Sequence, residues 1–193
     1  MIFKQYEQVL DGTKTQTRRL VKEGEFIQSG PDDKLTVYID GGFAFAGKYP
    51  YLNSREKWAV GHTYAVQPGR GKPAIWWRPD GTTTLTPLDE YLQKTDGVRA
   101  TWGPKVKRWM LEHGYIEARI RITDIRRERL QNVSEEDAYQ ELGSSAIPPP
   151  NSTDLIYFPK KQFEVLWDSI NKKPGTRWAD NPEVWALKFE LVQ

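Results

Sequence analysis

Apolar and charged positions alternate most cleanly over 115–125. There Ile116, Ala118, Ile120 and Ile122 are set off by charged or polar neighbours, and that period of two predicts a strand. Residues 184–192 alternate in the same way after Asn181-Pro182, and 35–39 reads as a further strand. Over 58–67, Gly61 marks a turn that leads into another alternating stretch. The period changes at 160–171, where Phe163, Leu166, Trp167 and Ile170 recur at helical spacing. Ser134 followed by Glu135-Glu136-Asp137 predicts an N-cap and an acidic first turn, in a helix ending near Leu142-Gly143. Short helices are expected over 6–10, stopped by Asp11-Gly12, and over 104–113. Loop or irregular structure is expected over 23–33, 41–56 and the proline-rich 147–152, with a tight basic turn at 69–73. The segment 74–114 loses regularity and reads as an insertion hung on a barrel. The pattern predicts an α+β fold: one domain over 1–193, a small mixed barrel of strands interleaved with helices.

Composition narrows the chemistry. The chain has no cysteine, which excludes disulfides, thiolate metal sites and cysteine nucleophiles together. His62 and His113 are its only histidines and carry no partner pattern, and the trio Glu135-Glu136-Asp137 is explained by its helix N-terminus. No metal and no cofactor is therefore expected. No leader and no apolar run near eighteen residues is visible, so no membrane partner is expected and the cytoplasm is the expected location. The hydrophobic fraction is modest at 38%, so the eight tryptophans are needed either for the core or as stacking surfaces. Trp76 and Trp77 would point oppositely in a strand, leaving at most one in the core. Net charge is only +2, but cations gather at Lys14, Arg18, Arg19 and Lys22 and again over Arg119–Arg129. Such patches suit a partner with a few phosphates better than a long duplex, and they are also what a solvated charged face looks like.

The segment Gly12-Thr13-Lys14-Thr15-Gln16-Thr17-Arg18-Arg19 concentrates hydroxyls and cations. If it is extended, Thr13, Thr15, Thr17 and Arg19 share one face, and Lys14, Gln16 and Arg18 the other. A helix end or a bend would mix them. Hydroxyl donors, an ammonium and forked guanidinium groups favour an anion or a polar base as ligand. Gly69-Arg70-Gly71-Lys72 offers backbone amides and two cations to a phosphate, or is an ordinary strand-end turn. Tyr64 would stack on a base or pack in the core.

Taken in order, several phrases resemble the ASCH domains, a branch of the PUA-like β-barrels. They are Val9-Leu10-Asp11-Gly12-Thr13-Lys14-Thr15-Gln16-Thr17-Arg18-Arg19, Val60-Gly61-His62-Thr63-Tyr64-Ala65-Val66, Ile120-Arg121-Ile122-Thr123-Asp124-Ile125, and Ser134-Glu135-Glu136-Asp137-Ala138-Tyr139-Gln140-Glu141-Leu142-Gly143. The closing strand over 184–192 also fits. His62 stands where the family has aspartate, and Leu142 separates Glu141 from the family's following glycine. The segments 28–57 and 72–114 have no counterpart in the family's smallest members, so the resemblance implies insertions there, on a PUA-like barrel of roughly five or six strands with flanking helices. Some bacterial ASCH proteins are amidohydrolases that release acetate from N4-acetylcytidine. That resemblance implies Lys14, Thr17 and Glu141 as catalytic residues, with Arg19 orienting substrate or carboxylate; with the residue chemistry above, Thr15, Arg18, Arg19, Tyr64, Arg70 and Lys72 are expected to contact substrate. Lys14 would activate the Thr17 hydroxyl, and Glu141 would pass a proton to the leaving amine. Other ASCH proteins imply a module that binds a modified nucleoside, a nucleotide or RNA without catalysis, or a ribonuclease, with the same residues contacting phosphate and sugar.

Overall fold

The computed structural model describes residues 1, 3, 5–29, 34–39, 55–70, 73–95, 102–146 and 158–192. Helix α1 (Tyr6–Leu10) ends where Gly12 takes a φ of 77°, a left-handed conformation that costs glycine little. Strands β1 (Gln16–Leu20), β2 (Glu25–Ser29), β3 (Leu35–Ile39), β4 (Arg55–Ala59) and β5 (Thr63–Ala65) follow, then the short β6 (Trp76–Trp77) and β7 (Thr83–Thr84). Helices α2 (Pro87–Lys94) and α3 (Pro104–Glu112) both open on proline, whose missing N–H is no loss in a first turn. Strand β8 (Ile116–Glu117), the long β9 (Arg119–Arg129), α4 (Glu135–Leu142), α5 (Pro159–Ile170) and β10 (Glu183–Val192) complete the order. The fold is mixed α+β, and the antiparallel sheet containing β9 curls into a half-barrel.

The chain divides into two compact units. One comprises Met1–Asp11, Thr63–Ile120 and Leu191–Gln193. Its core is Trp76, Tyr91, Val106, Met110 and Tyr115, over which β7, β6 and β8 form a small sheet. Trp76 is fully buried and its neighbour Trp77 only half-buried, as opposite faces of a strand require. Helix α2 belongs to the segment expected to be irregular. Its apolar positions Leu88, Tyr91 and Leu92 follow Pro87 closely, and packing on this core rather than a long periodic run stabilises it.

The other unit comprises Gly12–His62 and Arg121–Glu190. In it β1 runs antiparallel to β10, with Thr17 opposite Leu187 and Arg19 opposite Trp185. Strands β2, β3 and β4 form a second antiparallel sheet. Strand β2 corrects the loop expected over 23–33: pairing with β3, and the stack of Phe26 on Tyr38, outweigh the surrounding Gly, Pro and Asp. The core here is Leu130, Val133, Ala138, Leu142, Phe163, Trp167 and Val184, with Leu20 packed against it. It joins α4 to α5 and fixes α4 beside β1. The proline-rich 147–152 lies outside the described residues, as do most of 41–56 and both Gly71 and Lys72 of the basic turn.

Candidate functional site

Strand β1 exposes one edge of its backbone. The main-chain N–H of Phe189 bonds the carbonyl of Thr15, and two-residue alternation along the ladder turns the amides of Thr17 and Arg19 toward β10. The amide of Arg18 therefore points away from β10, in a buried position where an unpaired N–H would be costly. Helix α4 supplies the partner: the Arg18 N–H donates to Oε1 of Glu141 at 2.6 Å. The other carboxylate oxygen, Oε2, accepts from Arg18 Nη1 at 2.7 Å. Both oxygens of Glu141 are thus occupied by one residue.

The residues just before β1 are tied to the end of the same helix. Thr15 N–H donates to the Gln140 carbonyl at 3.1 Å, and Ser144 N–H donates to the Thr13 hydroxyl at 2.9 Å. Between them Lys14 directs its ammonium group onto the main-chain carbonyl of Glu141. Gly143, with φ of 60° and ψ of −143°, ends the α-helix in a conformation suited to glycine, and a 3-10 turn over Gly143–Ala146 follows. Lys14 is only 5% exposed. Burial lowers its pKa from 10.5 to about 8; Glu141 opposes the shift, and Arg19 and Arg18 reinforce it.

Alternation along β1 puts Thr17 and Arg19 on one face, and Gln16, Arg18 and Leu20 on the other. The extended arrangement holds for 16–20. On Thr17's face lie the cross-strand neighbours Leu187 and Trp185. Trp185 Nε1 donates to Glu25 at 2.8 Å, and Lys57 also pairs with Glu25. Thr17 is 5% exposed, and among the described residues its hydroxyl makes no hydrogen bond. Burial also pulls the Arg19 guanidinium below its ordinary pKa, against the pull of Glu141.

The opposite face carries a web of charge that composition did not reveal. The Arg18 side chain is fully buried and reaches Glu128 at 2.8 Å and Asp137 at 3.4 Å in addition to Glu141. Phe163 lies under its guanidinium. Arg126 pairs with Glu128 and Asp137, and Lys188 adds a longer contact to Asp137. In the amide orientation that satisfies both its ends, Gln16 donates to Asp137 at 3.1 Å and accepts from Arg18 Nη1 at 2.7 Å. Two signals in the sequence mark this web. Asp124, Arg126 and Glu128 alternate on one strand face, and Asp137 and Glu141 stand four apart on one helix face.

Of the expected site residues, Lys14, Thr15, Thr17, Arg18, Arg19 and Glu141 lie together along β1 and α4. Arg18, expected at a substrate, spends its guanidinium on carboxylates. Tyr64, half-buried on β5, and Arg70, exposed in the turn that follows, belong to the other unit. Lys72 lies outside the described residues. Among the described residues no cluster of His, Asp and Glu is arranged to hold a metal ion, and no helix is long and apolar enough to cross a membrane. No family model matches the chain, and no curated protein or solved structure does either.

Proposed function

We propose that the Lys14–Thr17–Glu141 site hydrolyses the acyl amide of an N4-acylated cytidine-type base, and that the half-barrel is of the PUA-like ASCH kind. One observation carries the reading: Lys14 is a buried amine, lowered to about 8, fixed on the helix that also presents Glu141 and close to the strand that carries Thr17. A surface lysine kept only for charge has no need of such burial, whereas a general base near neutral pH does.

The chemistry needs no cofactor. The neutral Lys14 amine takes the Thr17 hydroxyl proton as Oγ bonds to the acyl carbon, giving a tetrahedral oxyanion. Arg19, on the same face of β1 as Thr17, is the cation suited to that negative charge. Collapse breaks the C–N bond, and the proton held on Lys14 passes to the departing N4 amine. Water, deprotonated in turn by Lys14, attacks the threonyl ester and releases the carboxylic acid and free Thr17. Glu141 enters as an anchor rather than a proton carrier, since Arg18 occupies both its oxygens.

That same engagement favours a second reading, in which the site holds a modified nucleoside, a nucleotide or RNA without reacting. Release of cytidine from N4-acetylcytidine, followed chromatographically, separates the two. Turnover by the wild type, rising with pH through about 8 and lost in Lys14→Ala and Thr17→Ala, is the expected result. Absent turnover at every pH, with saturable binding of the same nucleoside or of RNA, establishes the second reading instead.

A further inference from the structure

We infer that Arg18 is a positioning residue that clamps Glu141 away from Lys14 and so keeps the Lys14 amine poised to act as a base. The inference concerns how the proposed hydrolytic site is set, and to that extent rests on that reading. Lys14 has two possible partners on one residue of α4: the main-chain carbonyl and the side-chain carboxylate of Glu141. It meets the carbonyl. The carboxylate is turned toward β1 by two N–H groups of Arg18, from the main chain at 2.6 Å and from Nη1 at 2.7 Å.

A carboxylate paired directly with the ammonium would hold the proton on Lys14 and silence it as a base. A carbonyl solvates the ammonium without that full opposite charge. The guanidinium is itself immobile, because Glu128 and Asp137 hold its remaining nitrogens, Phe163 lies beneath it and no part of it reaches solvent. Asp137 is in turn occupied by Arg126 and Lys188, so the web has no loose carboxylate to replace Glu141. The charged groups facing Lys14 are Glu141 from α4 and Arg18 and Arg19 from β1; both arginines disfavour its protonation.

Substitution of the Arg18 side chain leaves its main-chain N–H in place, so Oε1 stays anchored while Oε2 is released. The freed oxygen then reaches the ammonium. The direct readout is the reactivity of Lys14 toward a trace amine-acylating reagent as a function of pH, resolved by peptide mass spectrometry on the intact folded protein. In the wild type the midpoint is expected near 8. In Arg18→Met it rises by at least one pH unit, and Arg18→Lys, which keeps the charge but loses the fork, shifts it in the same direction by less. Arg126→Gln breaks the same web without touching Glu141. It is expected to lower the melting temperature and leave the Lys14 midpoint where it was.

Activity adds a second signature. Arg18→Met loses turnover of N4-acetylcytidine near pH 7.5 and recovers it above pH 9, which general loosening of the site would not produce. An unchanged Lys14 midpoint in folded Arg18→Met and Arg18→Lys overturns the inference, as does an equal shift in Arg126→Gln. A wild type that hydrolyses nothing overturns the proposed function alone, because the labelling midpoints still decide the role of Arg18.

Discussion

Lys14 and Arg18 are both buried cations, yet their energetics have opposite signs. Arg18 meets three carboxylates and an N–H-bonded neighbour, so removing Glu141 strands its fork and its main-chain amide together. Glu141→Leu is expected to cost about 3–5 kcal/mol in urea unfolding, the usual penalty for breaking one side of a buried pair. Among the described residues, Lys14 makes its hydrogen bond to a carbonyl rather than to a carboxylate. A pKa lowered from 10.5 to about 8 corresponds to a penalty on the order of 3 kcal/mol for holding the charge at pH 7. Leaving the Glu141 carbonyl without a donor returns roughly 1 kcal/mol of that. Lys14→Met should therefore unfold at higher urea at pH 7 than the wild type, by roughly 2 kcal/mol, while losing activity. The pH dependence has a definite sign. Below about 8 both folded and unfolded states carry the proton and the penalty is complete. Between about 8 and 10.5 the unfolded chain binds more protons than the folded one, so wild-type stability gains on Lys14→Met as pH rises. A Lys14→Met protein less stable than wild type at pH 7 would mean that the ammonium is a structural asset, not a group retained for chemistry. The sequence brought Lys14 and Glu141 into one site through the order of its phrases. It was silent on which atom of Glu141 Lys14 meets, because that depends on the Arg18 amide facing the open edge of β1.

Elements with their own local signals were legible and those stabilised by pairing were not. Helix α5 with its helical spacing and α4 with its serine cap stand where the pattern places them, and the alternation read over 115–125 is divided between β8 and β9, the latter running on to Arg129. Strand β1 was ambiguous, since Thr-Gln-Thr-Arg-Arg has no apolar face until Leu20. Its extended form follows from the ladder with β10 and from the α4 carboxylate at its edge. Strand β2 and helix α2 were missed for the same reason, their stability coming from β3 and from the Trp76–Tyr115 core. The cap of α4 is the point at which a local signal controls the site, because Ser134 Oγ accepts from Asp137 N–H at 3.0 Å in the turn that leads to Glu141. Ser134→Ala is expected to lower stability by about 1 kcal/mol, and Ser134→Gly by a few tenths, as a cap predicts. Urea melts of both variants check the order. Equal losses would place the serine's contribution in packing, since glycine spares the cap conformation but supplies no side chain.

At the scale of the whole molecule, the question is how much of its positive charge a partner can feel. The sequence shows a dense basic cluster at Arg119–Arg129, which taken alone invites a nucleic-acid reading. The structure cancels most of it. Arg119 pairs with Glu117, Arg121 with Glu190, Arg126 with Glu128 and Asp137, and Arg127 with Glu183. Of the N-terminal cations, Arg18 is committed to carboxylates and Lys14 is buried. With a formal net charge of +2, the chain as a whole carries little excess positive charge with which to attract a polynucleotide. Each phosphate neutralised on a single strand contributes about 0.7 to the slope of log affinity against log salt. Two or three such contacts give a loss of roughly tenfold between 50 and 200 mM salt, and a groove gripping six or more phosphates gives several hundredfold. A single-stranded RNA carrying N4-acetylcytidine, titrated by fluorescence anisotropy at those two salt concentrations, is expected to show the shallow dependence. The deacetylated strand should differ from it by more than the change in salt does. A steep slope with no preference for the acetylated base would place the affinity in the backbone, and the recognised group would then be phosphate rather than the N4 substituent on which the proposed hydrolysis acts.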